Sequence, residues 1–144
     1  MKKSILYSLI LMVILFFSCN NNAQNNMSND DIIGEWNWVS TNGGFAFNVH
    51  ETPSTTEEII VLKISKNYSY LILENDTIVS EGTYSLVLKK SIYDGNMKSY
   101  LTLSDNYSNQ NVIIGGLINN VSKTELNIVD NMHDGIGSWF KRIK

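Results

Sequence analysis

Residues 34–38 read Gly-Glu-Trp-Asn-Trp, so that apolar and polar side chains alternate along the chain. Side chains of a β-strand point alternately to its two faces, which places Trp36 and Trp38 on one face. Residues 60–64, Ile-Val-Leu-Lys-Ile, repeat this pattern with Ile60 and Leu62 on one face. Both segments therefore predict half-buried β-strands.

The rest of the chain continues in short apolar segments separated by polar turns such as Lys66-Asn67, Asn75-Asp76 and the stretch 93–96. The further predicted strands are 68–74, 77–88, 97–104, 111–118, 124–130 and 137–143, with a bulge at Gly82 and a bend at Gly115-Gly116. Sequential hairpins favour an all-β fold, a single antiparallel up-and-down barrel of about eight strands. Closing the sheet removes edges that invite aggregation.

The N-terminus has the pattern of an exported protein. Lys2 and Lys3 precede the apolar run 5–17, which is too short to span about 30 Å of hydrocarbon and fits the core of a signal peptide. Phe16-Phe-Ser-Cys19 is similar to a lipobox, and Cys19 is the only cysteine. The expected division is a signal peptide at 1–18, a lipidated Cys19 with an asparagine-rich tether at 19–30, and a barrel domain at 31–144. The alternative is a single N-terminal transmembrane anchor.

The resemblance to bacterial lipoproteins implies several acyl chains, palmitate among them, on Cys19. One chain binds a membrane only marginally, whereas two or three hold a protein stably. We therefore expect a lipid anchor in a bacterial cell envelope, in the outer membrane rather than the inner. Without Lys2 and Lys3, 9 basic residues face 14 acidic ones, a net charge of −5 with no basic stripe. That balance argues against nucleic-acid binding, which needs positive charge to displace counterions.

The first predicted strand and three later segments of the chain resemble one protein family. Gly34-Glu-Trp36 resembles the G-x-W signature that opens lipocalin barrels, and Ser80–Ser85, Glu125–Asp130 and Phe140–Lys144 are similar to bacterial lipocalin-like lipoproteins. The resemblance covers residues 31–144. It implies that Gly34, Trp36 and Arg142 close the base of the barrel, with Arg142 packed across the indole. A guanidinium on an indole face gains about 0.5–2 kcal/mol. The alternative is that the tryptophans are ordinary core residues and that Arg142 belongs to a solvated tail.

Signals for catalysis are weak, and we expect no enzyme activity and no cofactor. The cluster Asp130, His133 and Asp134 has metal-binding chemistry, but Asp134-Gly135 is also ordinary turn sequence. His50 has no second histidine or cysteine near it. No nucleophile elbow and no phosphate-binding glycine loop is present in the sequence. We therefore expect no metal site.

The aromatic and aliphatic residues instead suggest a binding module. An eight-stranded barrel is wide enough to be filled by side chains or to hold one small ligand. The predicted inward-facing residues are Trp36, Trp38, Ile60, Leu62, Ile64, Tyr84, Leu86, Leu101, Leu103, Leu126 and Phe140. Of these, Trp38, Leu62, Tyr84, Leu86, Leu101, Leu103 and Phe140, together with Tyr70, form the predicted ligand-binding set.

The leading hypothesis is a membrane-anchored, lipocalin-like module that binds a small apolar or amphipathic molecule. The alternative is a structural or interaction lipoprotein with a plugged barrel and a protein partner in the envelope. Trp139 bears on this choice, because alternation places it on the face opposite Phe140 and an exposed tryptophan favours a partner surface.

Overall fold

The computed structural model describes residues 27–105 and 107–144 of the chain. The alternating segments form nine strands: β1 (Gly34–Gly43), β2 (Val49–Glu51), β3 (Ile60–Ile64), β4 (Ser69–Glu74), β5 (Thr77–Lys90), β6 (Met97–Leu103), β7 (Gly116–Val121), β8 (Glu125–Val129) and β9 (Ile136–Arg142). Strands β1 and β3 to β9 pair antiparallel in sequence order, and β9 returns to pair with β1. The prediction of an all-β barrel with eight strands is confirmed. The one additional strand, β2, pairs only with the last residues of β1.

Two single-turn helices accompany the barrel, α1 (Asn29–Ile32) and α2 (Pro53–Thr56). Ser28 caps α1, since its hydroxyl accepts a hydrogen bond from the Asp30 N–H at 3.2 Å and its own N–H donates to the Asp31 carboxylate at 2.9 Å. Thr52 and Thr55 form the same reciprocal cap at α2. Four residues are too few to show an apolar repeat, so these helices were not predicted.

One strand prediction was wrong in its position. Residues 111–118 were expected to form a strand, but β7 begins only at Gly116 and runs to Val121. The residues before it, 111–115, leave the sheet. The reason lies in tertiary contacts, because Val112 and Ile114 turn into the hydrophobic core instead of continuing the ladder beside β6.

The predicted bulge also lies elsewhere. Ile72 pairs with Ser80 and Leu73 with Ile78, which leaves Val79 as the extra residue of β5. Gly82 is regularly paired, and a Cβ there would lie 3.2 Å from the ring of Tyr70. Glycine at residue 82 is thus explained by the close approach of the Tyr70 side chain and not by a bulge.

The predicted inward face forms the core. Nine of the eleven residues are buried, and Leu86 and Leu103 are half-buried against the same cluster. Ile32 of α1 packs beneath the barrel at the end where β1 begins. Val112 and Ile114 pack into the same cluster from the segment before β7. Residues that do not belong to the strands, in α1 and before β7, therefore complete the hydrophobic core of the barrel.

Candidate functional site

Trp36 and Arg142 lie together at the end of the barrel where β1 begins and β9 ends. The two residues are partners in the β1–β9 ladder, and the guanidinium carbon of Arg142 lies 3.9 Å from the centre of the indole. The indole N–H donates to the Ile32 carbonyl at 2.8 Å. The guanidinium donates to the carbonyls of Ile33 and Asp31, the latter at 3.0 Å. These contacts tie α1 to the barrel and close this end.

Gly34 makes that closure possible. Its φ of +147° belongs to the region that favours glycine. A Cβ at residue 34 would lie 2.7 Å from the Lys144 carbonyl oxygen and would overlap the Arg142 guanidinium. The structure thus brings together all three residues of the predicted base.

A chain of hydrogen bonds runs through the core near the opposite end. The Trp38 indole donates to the Thr41 hydroxyl at 3.0 Å, and the Thr41 and Ser138 hydroxyls share a bond of 2.7 Å. The backbone N–H of Ile113 donates to the Ser138 hydroxyl at 2.8 Å. Thr41 and Ser138 are fully buried, so the bonds satisfy polar groups that would be costly to leave unpaired.

These bonds hold a segment that we call the inner segment, residues 107–115. Its Asn109 and Asn111 amides donate to one carboxylate oxygen of Glu58 at 3.3 and 3.2 Å. Val112 and Ile114 join the core, and Tyr107 packs against it. The inner segment therefore covers the barrel at the end where β3 begins.

The centre of the barrel is tightly packed. Trp38 and Leu62 are 0% exposed, and Phe140 is 1% exposed. A side chain beside a void large enough for water would expose area to that void. These members of the predicted ligand-binding set therefore adjoin no such space.

The tyrosines of that set also bond within the protein. The Tyr84 hydroxyl has two acceptors within hydrogen-bond distance for its one hydrogen, the Asn29 side-chain oxygen and the Ser65 carbonyl. The Tyr70 hydroxyl lies 3.0 Å from the Ser80 hydroxyl. Burial raises the pKa of both tyrosines, so each remains a neutral donor at physiological pH.

A groove opens in the barrel wall where β6 and the inner segment separate. Only Tyr100 and Leu101 of β6 pair with β7, because the inner segment turns into the core. The groove has a volume of about 290 Å³. Its lining residues are Tyr100, Leu101, Thr102, Leu103, Asp105, Tyr107, Ser108, Asn109, Val112, Ile113, Ile114 and Gly115. Leu101 and Leu103 are thus the two members of the predicted ligand-binding set that border it.

Asp105 is fixed at the edge of this groove. Its carboxylate accepts hydrogen bonds from the Ser80 hydroxyl and, at 3.2 Å, from the Tyr107 N–H. The bonds from Ser80 and Tyr70 lower the pKa of Asp105, which keeps it ionised. Burial raises the pKa of Tyr107, whose hydroxyl is buried without a partner among the described residues.

The outer surface carries aromatic residues that the sequence analysis only partly anticipated. Trp139 is 41% exposed on β9, on the face opposite Phe140. Phe45 and Phe47 are 75% and 90% exposed in the turn between β1 and β2. The uncharged run Gly43–Asn48 was the available signal for this turn, since its two adjacent glycines weaken a strand.

The predicted polar clusters bond as turn residues. The Asp130 carboxylate accepts from the Ile136 N–H and the Tyr93 hydroxyl at 3.1 and 3.2 Å, and Asp134 has a φ of +55°. Within residues 27–105 and 107–144, no three His, Cys, Asp or Glu side chains are grouped as a metal site. In the same ranges no helix is long and apolar enough to cross a membrane. Cys19 and the predicted signal peptide lie outside the described residues.

No protein-family model, curated protein or solved structure matches the chain.

Proposed function

We propose that this chain is a lipid-anchored protein of the bacterial cell envelope, of the lipocalin-like type, that binds a small apolar or amphipathic molecule. The anchor is supported by the basic, apolar and lipobox-like N-terminus that ends at Cys19. The proposed ligand site is the groove beside β6, which replaces the barrel centre of the sequence-based hypothesis. The packing of Trp38, Leu62 and Phe140 leaves no room for a ligand between them.

The observation that carries this proposal is the combination of volume and lining in the groove. Its volume of about 290 Å³ is near the lower end of the range for small-molecule sites, roughly 300–1,000 Å³. Leu101, Leu103, Val112 and Ile114 supply apolar walls, while Thr102 and Asn109 supply polar groups. Apolar walls with a few polar groups are typical of sites that hold and orient one small amphipathic molecule.

Titration of the full, detergent-solubilised chain with hexanol tests this proposal. Hexanol is small, neutral and water-soluble, and calorimetry against a detergent blank separates binding from micelle uptake. We expect saturable binding at one site that Leu103→Trp abolishes by filling the groove. Ile78→Trp, at an exposed position on β5, is the matched control and should bind as the wild type does. An absence of binding, or binding that Leu103→Trp leaves intact, would overturn the groove as the site.

The second candidate is an interaction lipoprotein with a plugged barrel and an envelope protein partner. It is favoured by one observation, the exposed phenyl rings of Phe45 and Phe47 on a tight turn. In intact cells, cross-linking from this turn should capture one defined partner. The double variant Phe45→Ser, Phe47→Ser should lose that capture, whereas Ile143→Ser, an exposed apolar residue outside the turn, should retain it.

A further inference from the structure

The described part of the groove beside β6 contains one formal charge. Among the described lining residues, only Asp105 is charged at neutral pH. Ser80 and the Tyr107 N–H hold its carboxylate in place, so a ligand would meet a preformed anion. Its remaining acceptor capacity is available because a carboxylate accepts about four hydrogen bonds.

The charges near the groove do not cancel this anion. Glu58 is held at its far side by Asn109 and Asn111, which adds a second negative group next to the inner segment. One basic group, Lys89, contacts a residue of the groove wall, since its ammonium lies 3.4 Å from the centre of the Tyr100 ring. That contact engages Lys89 with the aromatic face of one wall residue, and no salt bridge joins it to Asp105 in the described part of the chain.

The apolar walls of the groove suit the apolar part of a ligand. Val112, Ile114 and the half-buried Leu103 line the groove next to the hydrophobic core, so its inner wall consists of hydrocarbon side chains. Asp105 is exposed and lies at the outer part. An apolar tail with a positive head group would match both halves, whereas a carboxylate head would face a like charge.

We infer that the groove selects small amphipathic cations, with an ammonium head group at Asp105 and an apolar tail along Leu103, Val112 and Ile114. This inference rests on the proposed function, because it specifies the ligand class of the same groove. Hydrogen bonds between an ammonium and a carboxylate are about twice as strong as neutral ones, so the head group should contribute measurably to affinity.

Three ligands with the same tail test the inference: hexylammonium, hexanol and hexanoate, titrated against the full chain at neutral pH and low salt. We expect hexylammonium to bind about tenfold more tightly than hexanol, and hexanoate to bind most weakly. Asp105→Asn should remove the preference for hexylammonium, so that the ratio of the hexylammonium affinity to the hexanol affinity falls from about ten to about one. Glu81→Gln, an exposed carboxylate on β5 outside the groove, should change neither affinity.

The outcomes separate the two proposals. If hexanol binds and Leu103→Trp abolishes its binding, but all three head groups bind alike or hexanoate binds best, the charge inference is wrong and the proposed function stands. If none of the three ligands binds, the proposed function fails and the inference fails with it. Added salt provides a check without mutation, because screening should weaken hexylammonium binding and spare hexanol.

Discussion

The guanidinium of Arg142 lies 3.9 Å from the ring of Trp36 while its two terminal nitrogens donate to the carbonyls of Ile33 and Asp31. One side chain thereby joins the last strand, the first strand and the helix α1. Because Trp36 is completely buried, the contact closes the end of the barrel against water.

Replacement of Trp36 by alanine should destabilise the protein by about 3–5 kcal/mol, since it removes a large buried aromatic side chain. Arg142→Lys should cost less, about 1–2 kcal/mol, because lysine keeps the charge but cannot make both carbonyl bonds over the indole. Urea unfolding measures both values. Lys141→Ala, on the exposed neighbouring position, is the control and should stay within about 0.5 kcal/mol of the wild type. An equally small effect of Trp36→Ala would contradict the closure.

Loss of the Ser138 hydroxyl should release the inner segment. Ser138→Ala leaves the Ile113 N–H without its acceptor and removes one partner of buried Thr41, at a cost of about 1–3 kcal/mol. Amide hydrogen exchange should become faster in residues 107–115 before it changes in β1 and β9. Ser108→Ala, in the same segment but exposed, should leave the exchange pattern as it is. Uniform acceleration across the whole barrel would argue against a specific attachment.

Acid should weaken the contacts of Asp105. Its pKa is lowered in the folded state, first by the hydrogen bond from Ser80, so its stabilising contribution is complete above the unfolded pKa of about 3.9. That contribution is lost as the pH falls through the folded pKa. The urea midpoint of Asp105→Asn should lie below that of the wild type at about pH 6 and approach it at about pH 2. If the difference between the two urea midpoints stays constant or widens in acid, ionisation of Asp105 does not contribute to stability.

Replacement of Cys19 should prevent lipidation. We expect Cys19→Ser to retain residues 1–18 and lack acyl chains, whereas the wild type should begin at an acylated Cys19 and enter the detergent phase. Mass spectrometry of the N-terminal peptide measures both differences. Asn20→Ser should be processed as the wild type is. A wild-type protein that stays in the aqueous phase with an unmodified cysteine would refute the anchor.

Much of the architecture was available from local sequence. Alternation in segments such as 34–38 and 60–64 identified strands and their inward faces, since a strand has a strict period of two. Asn75-Asp76 identified a hairpin turn, and both residues have the positive φ that asparagine and aspartate tolerate. Gly34, Trp36 and Arg142 were grouped through family resemblance, and the structure places them in contact.

The candidate site could not be predicted in this way. Residues 111–115 have strand-like composition, but burial of Val112 and Ile114 and the bond from Ile113 to Ser138 draw them out of the sheet. Ile113 and Ser138 lie far apart in sequence. A local sequence pattern therefore cannot show whether residues 111–115 pair with β6 or pack into the core. The sequence alone thus determined most of the strands, their inward faces and the barrel, but neither β2 nor the start of β7. Only tertiary packing decided that the centre is filled and that the wall opens beside Asp105, because both follow from where one irregular segment finds its buried contacts.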